Sequence, residues 1–315
     1  MVNSFEDIKE SDMEAIYNIN DKYINEIERY VNFNEKDIKE AIISRFFRNE
    51  FINQINHANN PDNIGVIKLI IAGKNVQMDF LRNECIDFVD NVGIIHNAKL
   101  IDTPFILDDA GNNILSIIPN LSSNYHRDNM LHRIIKKNES TVIAETMVKQ
   151  KLKKILEIID PVTEGVFIRT DNSLFYKEKL IEQPLALKNI SNGMKIFLIV
   201  KRLFEQNEIQ ERDVIIFDEP EIHLHPDWQI KIAEMLVLLQ KEFNLTILLT
   251  THSPYFLHAI EVYSSKHNIN DSLKCYLAES NDNISGILDV TDNIDIIYKQ
   301  LARPFQKLED VQYDE

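Results

Sequence analysis

Apolar residues recur at two periods in the first third of the chain, and each period predicts a different element. Through residues 1–58 they fall mostly three or four positions apart, the spacing that places them on one face of a helix. Two apolar runs follow, 66–71 and 76–80, and the residues between them include the turn-forming Gly73. We therefore expect helices up to residue 58 and a β-hairpin after it.

The helical period returns in residues 120–158, where many positions are Lys or Arg. A second hairpin-like pair, 166–169 and 173–176, comes after it. We interpret the lysines as a solvated helix face. The alternative, a basic groove for nucleic acid, is disfavoured by the acidic composition of the whole chain.

From about residue 185 the pattern becomes an alternation of loop, helix, strand, helix, strand, helix and strand, which is typical of a layered α/β domain. The runs 214–217 and 245–249 are almost continuously apolar, as in parallel strands that are buried on both faces. Between them, Pro226 suits the first position of a helix. The helix would carry one apolar stripe, formed by Ile232, Met235, Leu236, Leu239 and Phe243. This arrangement predicts a strand-helix-strand crossover.

The composition narrows the class of protein. With 315 residues, of which 44% are hydrophobic, the chain can bury a large core and form one big domain or two modest ones. The formal net charge of -16 argues against a surface that coats nucleic acid, although it leaves room for a local basic patch. The net charge therefore does not support nucleic-acid binding, but it does not exclude it.

The cysteines and the N-terminal residues bear on the cellular location. Cys85 and Cys275 lie far apart and suggest neither a disulfide framework nor a cysteine-based metal site, which favours a cytoplasmic protein. The first thirty residues are polar and acidic, and no uninterrupted apolar run approaches the length of a membrane span. We expect neither secretion nor insertion into a membrane.

An acidic pair ends the first of the two buried strands. Asp218 and Glu219 follow the run 214–217 directly. Such a pair is often only a surface cap, but ligands bind at the carboxyl ends of strands in open α/β sheets. At that place Asp218 can belong to a Mg²⁺ shell, and Glu219 can orient an attacking water.

The next strand ends close to a histidine. His252 follows the run 245–249 after two threonines, so its imidazole is expected beside the acidic pair, within reach of a terminal phosphate. A histidine at a strand end is usually structural. Because two successive strand ends each carry a polar group of a catalytic type, the pattern favours a catalytic site over a purely structural role.

A third candidate lies before a helix. Ser191 and Gly193 precede the apolar segment 196–204, where free backbone N–H groups and the helix dipole favour an anion. Taken alone, a serine at this place is equally typical of an ordinary N-cap.

In this order the three pieces resemble the second half of the head of an ABC-type ATPase. The matching segments are Ile190-Ser-Asn-Gly-Met194 for the signature motif, 214–219 for the Walker B strand with its catalytic glutamate, Glu221-Ile-His-Leu-His-Pro226 for the D-loop region, and Thr251-His-Ser253 for the switch histidine. The form Asp-Glu-Pro-Glu-x-His-Leu-His-Pro, followed by Thr-His-Ser-Pro, is more narrowly similar to the RecF-like and overcoming-lysogenization-defect (OLD)-like AAA/ABC ATPases. The ATPase subunits of Septu-type phage defence belong to that group. The resemblance covers residues 165–305 well, and the earlier part, with Leu100-Ile-Asp-Thr-Pro-Phe105, only weakly.

The resemblance implies ATP and Mg²⁺ as cofactors and a role for each candidate residue. Asp218 would coordinate Mg²⁺, Glu219 would polarise the hydrolytic water, and His252 would contact the γ-phosphate. Ser191 and Gly193 would act on a nucleotide held by the other protomer. The implied active unit is a homodimer that closes through its nucleotide-sandwich face when ATP binds and reopens on hydrolysis.

One part of the family pattern is missing from the sequence. A GxxxxGK[ST] loop, whose backbone N–H groups and lysine hold the phosphates, does not occur around any of the seven glycines. In the only Gly-Lys pair, at Gly73, the position five before the glycine is Lys68, and Asn75 replaces the metal-binding Ser or Thr, so a hairpin turn explains the pair better. We expect either an ATPase whose phosphate loop is supplied upstream of Met1 or by another chain, or a head that has lost nucleotide binding.

A different class of function starts from His223, His225 and Asp227, which nearly form the His-x-His-x-Asp-His motif of metallo-β-lactamase-type hydrolases. The final position is Trp228, and no convincing set of downstream ligands follows, although such metal sites need three or more well-placed ligands. Metal-dependent hydrolysis is therefore the remote alternative.

We predict an α/β fold, an ABC-ATPase-like head that lacks its first strand and P-loop. Residues 1–160 would form its helical and β-hairpin portion, and residues 161–315 its signature, Walker B and switch-histidine core. The leading hypothesis is an ATP-hydrolysing switch subunit in phage defence or DNA repair, partnered with a separate nuclease because no nuclease centre is evident after His252. The rival is a scaffold that keeps the head fold and its dimer surface but does not hydrolyse ATP.

Overall fold

The computed structural model describes residues 35–57, 60–71, 73–92, 97–110, 125–135, 153–170, 173–281 and 284–313. The chain divides into two compact units, Met1–Ile94 with Ser123–Tyr125 and Ile95–Ser122 with His126–Glu315. This division differs from the boundary expected at residue 160, because residues 98–101 pair with a strand of the second unit.

In its described residues, the first unit contains one helix and three antiparallel strands. Helix α1 spans Glu35–Glu50, and strands β1 (Gly65–Ile71), β2 (Lys74–Leu81) and β3 (Glu84–Asp90) pair in that order. The expected hairpin of β1 and β2 is confirmed, and Gly73 in its turn has φ +76°, a conformation that glycine adopts without strain. Strand β3 was not expected, and the helices predicted for residues 1–34 lie outside the described residues.

The second unit carries the predicted α/β alternation. Its first elements are β4 (Ala98–Ile101), α2 (Ile106–Ala110), α3 (Tyr125–Ile135), helical residues 153–159, and an antiparallel sheet of β5 (Val166–Thr170), β6 (Ser173–Lys177) and β7 (Leu185–Ala186). Then follow α4 (Asn192–Glu205), β8 (Val214–Phe217), α5 (Pro226–Phe243), β9 (Thr246–Leu249) and α6 (Pro254–Lys266). The last elements are the hairpin of β10 (Tyr276–Asn281) and β11 (Ile284–Asp289) and helix α7 (Asp295–Tyr313). The second predicted hairpin, β5 with β6, is confirmed.

Three short parallel strands position the candidate site. Their order is β4-β8-β9, and the register pairs Phe217 with Ile101 on one side and with Leu249 on the other. Each strand has four residues, so the three carboxyl ends lie side by side.

The crossover from β8 through α5 to β9 is confirmed. The whole apolar stripe of α5 is buried in the main core: Ile232, Met235, Leu236, Leu239 and Phe243. The expectation that both strands are buried on both faces is wrong for β9, where Leu248 is 54% exposed. The reason is that, in the described part of the chain, β9 pairs only with β8 and lies at the sheet edge, whereas β8 is enclosed by two strands.

Two further features concern the helices and the cysteine thiols. Within the described ranges, no helix combines the length and the apolarity that crossing a membrane requires. Cys85 and Cys275 are buried free thiols in different units. Burial raises the pKa of Cys85 to about 11 and also raises the pKa of Cys275, so both favour the unreactive protonated form at neutral pH.

Asp213 joins the starts of the three parallel strands. Its carboxylate accepts hydrogen bonds from Lys99 Nζ at 2.7 Å and from the backbone N–H groups of Asn97 and Gln210, both at 3.0 Å. Its carbonyl oxygen accepts a hydrogen bond from the N–H of Thr246 at 3.0 Å. The Lys99 and Asp213 side chains are 0% and 2% exposed. The ion pair therefore links β4 to β8, and the Asp213 backbone links β8 to β9.

Replacing Asp213 by alanine is expected to destabilise the second unit strongly. The change leaves the Lys99 ammonium buried without a counter-charge, which lowers the free energy of unfolding by about 3–5 kcal/mol. Chemical denaturation measures the loss. In a control, Asp62→Ala removes an exposed ion pair with Arg82, whose side chains are 70% and 74% exposed, and should cost at most about 1 kcal/mol. Equally small losses in both variants would contradict the role given to Asp213.

The same carboxylate should make stability depend on pH. Burial alone raises the pKa of Asp213, but the hydrogen bonds from Lys99, Gln210 and Asn97 outweigh it and hold the pKa below its usual value. A carboxyl group with a lowered folded-state pKa stabilises fully above its unfolded-state pKa, about 3.9. It loses that contribution as the pH falls through the folded-state pKa. Denaturation at stepped pH below about 4 should show a steeper loss for the wild type than for Asp213→Asn, and parallel profiles would contradict the assignment.

Candidate functional site

The carboxyl edge of the parallel sheet presents three polar side chains in one row. Because the register aligns the last residues of β4, β8 and β9, the next residues, Asp102, Asp218 and Thr250, leave the sheet side by side. The backbone continues the ladder here, since the N–H of Asp218 donates to Ile101 O at 3.1 Å. Asp218 therefore follows the end of a strand, as expected, and that strand is the central one of the three.

Thr250 connects the Asp218 carboxylate to the backbone of Glu219. Its hydroxyl donates to Asp218 Oδ1 at 2.6 Å, and its Oγ1 accepts the backbone N–H of Glu219 at 3.0 Å. The side chain of the first residue after β9 thus fixes both the carboxylate of Asp218 and the start of the turn at Glu219. Thr250 was not among the residues predicted from the sequence, although its position directly after an apolar strand was a usable signal.

Glu219 and His252 are brought together as expected. Glu219 Oε1 lies 3.1 Å from His252 Nε2, and the Glu219 backbone has φ +44°, in the left-handed region that few residues other than glycine adopt. The side chain of Glu219 is 29% exposed, whereas that of His252 is 83% exposed. A carboxylate that can accept a proton therefore lies beside an imidazole that reaches into solvent.

A second glutamate of the same loop holds the backbone beside His252. Glu221 is buried, with 5% exposure. Its Oε1 accepts hydrogen bonds from the Thr251 hydroxyl and from the backbone N–H of His252, the latter at 3.2 Å. By resemblance Glu221 belongs to the D-loop region, but no role could be predicted for it, because 30 positions separate it from Thr251 in the sequence.

Ser191 and Gly193 contact a different part of this loop. Ser191 is the N-cap of α4 but its side chain makes no capping hydrogen bond, whereas His225 and Ser253 cap α5 and α6 through their side chains. Gly193 is buried, and a Cβ added there would lie 3.1 Å from His223 O. Among the described residues, no hydrogen bond joins Ser191 to Asp218, Glu219 or His252, so the signature-like turn packs on the loop after the carboxylates.

The chemistry of the donor set fits a magnesium ion better than a transition metal. Mg²⁺ is usually held by one or two carboxylates, with waters and substrate phosphates as its other ligands, which matches Asp218 at an exposed strand end. In the metallohydrolase alternative, His225 instead accepts the Asp227 N–H at 3.3 Å as a helix cap. No three His, Cys, Asp or Glu side chains converge as metal ligands within the described part of the chain.

A phosphate loop is not supplied by the described residues. Gly73, which belongs to the only Gly-Lys pair of the sequence, lies in the β1–β2 turn, and the printed sequence has no glycine before Gly65. The residues present thus fit the metal-and-water part of a nucleotide site and not its phosphate cradle.

Solved structures that match the fold of this chain include heads of SMC proteins. The SMC head bound to the C-terminal winged-helix domain of ScpA is 11% identical, with a TM-score of 0.41, and the match covers 73% of this chain and 74% of that one. The SMC head domain from Thermotoga maritima is 11% identical, with a TM-score of 0.34, and the match covers 71% of this chain and 73% of that one.

Sequence comparison gives a shorter but closer match. The Retron Ec83 probable ATPase of Escherichia coli is 33% identical over 88 residues. This match covers 24% of the chain and spans only 16% of the length of the relative.

A family model matches much more of the chain and includes its N-terminal part, where the motif resemblance was weak. It covers residues 3–258, which include Ser191, Gly193, Asp218, Glu219 and His252. The chain therefore belongs to the family described as "AAA domain, putative AbiEii toxin, Type IV TA system".

Proposed function

We propose that the chain is an ATP-hydrolysing switch subunit whose carboxylates and histidine act on the terminal phosphate. The observation that carries the proposal is the meeting of Asp218, Glu219 and His252 at two adjacent strand ends, with Glu219 Oε1 3.1 Å from His252 Nε2. Membership of an AAA-domain family supports ATP as the nucleotide and Mg²⁺ as its metal.

Each side chain has one task in this proposal. Glu219 accepts a proton from a water molecule aimed at the phosphate, and the exposed His252 imidazole contacts the phosphate oxygens. Asp218, oriented by Thr250, is the carboxylate for Mg²⁺. Bound Mg²⁺-ATP would supply the charge neutralisation that phosphoryl transfer needs.

The active unit in this proposal is a homodimer with composite sites. Ser191 is exposed and its hydroxyl makes no capping bond, which leaves the first turn of the 14-residue helix α4 available to an anion. With Gly193, it would meet the nucleotide of the partner subunit. ATP would then close the dimer through the nucleotide-sandwich face, and hydrolysis would open it.

The biological setting that we favour is defence against phage, in the cytoplasm, with a separate nuclease subunit as partner. The retron ATPase relative and a family description that names a toxin-antitoxin system support defence over DNA repair. Within that setting, the motif Asp-Glu-Pro-Glu-x-His-Leu-His-Pro is the feature that supports the RecF-like, OLD-like and Septu-type group.

A scaffold that binds no nucleotide is the second candidate. The observation that favours it is the lack of any GxxxxGK[ST] segment in the printed sequence. The two candidates differ in ATP binding by the chain when it is expressed together with a phosphate loop, which comes either from an in-frame segment upstream of Met1 or from another chain. The chain that carries the upstream segment is called the extended chain below.

In that extended chain, Glu219→Gln should abolish ATP turnover and leave ATP binding intact. The amide cannot take the proton of the attacking water, and loss of a general base lowers kcat by about 10²–10⁴-fold. Phosphate release measures turnover, and nucleotide-dependent dimer formation measures binding.

The matched control is Glu234→Gln, which removes a 3.0 Å ion pair with Lys266 between α5 and α6. This change should keep wild-type turnover. Undiminished turnover in Glu219→Gln would exclude Glu219 as the base, and an extended chain that binds no ATP would favour the scaffold.

Mixing two inactive variants should restore part of the activity. Ser191→Ala and Glu219→Gln each inactivate both sites of their own homodimer. A mixed dimer holds one site with the intact Glu219 of one protomer and the intact Ser191 of the other. Random exchange of a symmetric dimer makes half of all dimers mixed, so about a quarter of wild-type turnover should return.

The stability of the Ser191→Ala variant serves as the internal check. Since the hydroxyl makes no capping bond, its removal should change the free energy of unfolding by less than about 0.5 kcal/mol. If the mixture remains inactive while both variants are folded, Ser191 does not act on the site of the partner subunit.

A further inference from the structure

Glu221 is a buried acid that the proposed reaction does not use. It is 5% exposed and lies two residues after Glu219 in the same loop. Its Oε2 atom is buried and has no hydrogen-bond partner among the described residues. Burying a carboxylate with one oxygen unpaired is unfavourable, so a purely structural position would be better filled by an apolar side chain.

The side-chain hydrogen bonds of Glu221 both come from the segment around His252. Oε1 accepts the hydroxyl of Thr251 and the backbone N–H of His252. The Thr251 oxygen in turn accepts the backbone N–H of Ser253 at 3.0 Å. One carboxylate oxygen therefore organises three consecutive residues of the loop after β9.

This loop needs such an anchor because His252 has little packing of its own. Its side chain is 83% exposed, so the direction of the imidazole follows from the backbone at His252 and from the 3.1 Å contact with Glu219. Glu221 holds the backbone, and Glu219 meets the ring. Two acids of one loop thus contact the two ends of the same histidine.

The far side of the loop is held in the same way. Ser253 Oγ donates to Gln229 Oε1 at 2.6 Å, and Gln229 Nε2 donates to Leu224 O at 3.3 Å. His252 is therefore bracketed by two polar contacts that both lead back to the segment following β8.

We propose that Glu221 is a positioning residue that aims the His252 imidazole by holding the Thr251 hydroxyl and the His252 amide. The proposal rests on the proposed function in that His252 is the group to be aimed. It adds a second acid to the site, one that acts through the backbone and never touches the phosphate. The competing explanation is that Glu221 only stabilises the loop through its hydrogen bonds and does not orient His252.

The test follows His252 directly by NMR in the full chain, with labelled histidine assigned through His252→Ala. Two signals are recorded, the exchange rate of the His252 amide hydrogen and the position of its imidazole resonance. In Glu221→Ala the amide should exchange about tenfold faster, the effect of losing one hydrogen bond, and the imidazole signal should move. Neither signal requires ATP, so the result stands whether or not the chain hydrolyses nucleotide.

Three further variants distinguish a role in orienting His252 from a role in loop stability alone. Glu221→Asp keeps the charge but shortens the side chain, so it should show the same faster amide exchange and the same shift of the imidazole signal as Glu221→Ala. It also provides the test if the alanine variant does not fold. Glu221→Gln keeps an acceptor at the same reach and should restore the wild-type signals. Glu219→Gln should move only the imidazole signal, because Glu219 contacts the ring and not the amide.

The matched control is Glu234→Gln, which removes an acid from α5 without touching the loop. Both His252 signals should keep their wild-type values in this variant. Wild-type exchange and a wild-type imidazole signal in folded Glu221→Asp or Glu221→Ala would overturn the proposal.

Discussion

Lys99 and Asp213 meet at 2.7 Å where the parallel sheet begins, and both side chains are almost completely buried. Because Asp213 also receives the N–H groups of Asn97 and Thr246, one residue determines where all three strands start. Strands of four residues that start together end together. The row of Asp218 and its neighbours at the carboxyl edge is therefore a consequence of a charge pair at the other end of the sheet.

The loop after β8 is the part of the molecule through which the candidate residues are connected. Its acids contact His252, while its segment at His223 lies so close to Gly193 that a Cβ added there would be 3.1 Å from His223 O. The signature-like turn and the segment that holds His252 thus contact different residues of the same short loop. A displacement of this loop would move both the signature-like turn and the segment that holds His252. The proposed nucleotide-dependent switch requires such a coupled movement.

Local patterns in the sequence were sufficient for some of these features and insufficient for others. Both hairpins, helix α5 and the strand ends with Asp218 and His252 follow from spacing and turn residues alone. Strand β4 and the partners of Thr250 and Glu221 could not be predicted, since these contacts join residues far apart in the chain. The exposure of β9 was missed because an apolar strand looks the same at the edge of a sheet and in its centre.

The backbone of Glu219 carries information of a different kind. At φ +44° a glycine would be at ease, whereas a residue with a Cβ pays a conformational penalty of about 1 kcal/mol. Glycine would therefore stabilise this turn more than glutamate does. In the proposed function, this conformational cost is what presenting a carboxylate at the turn requires.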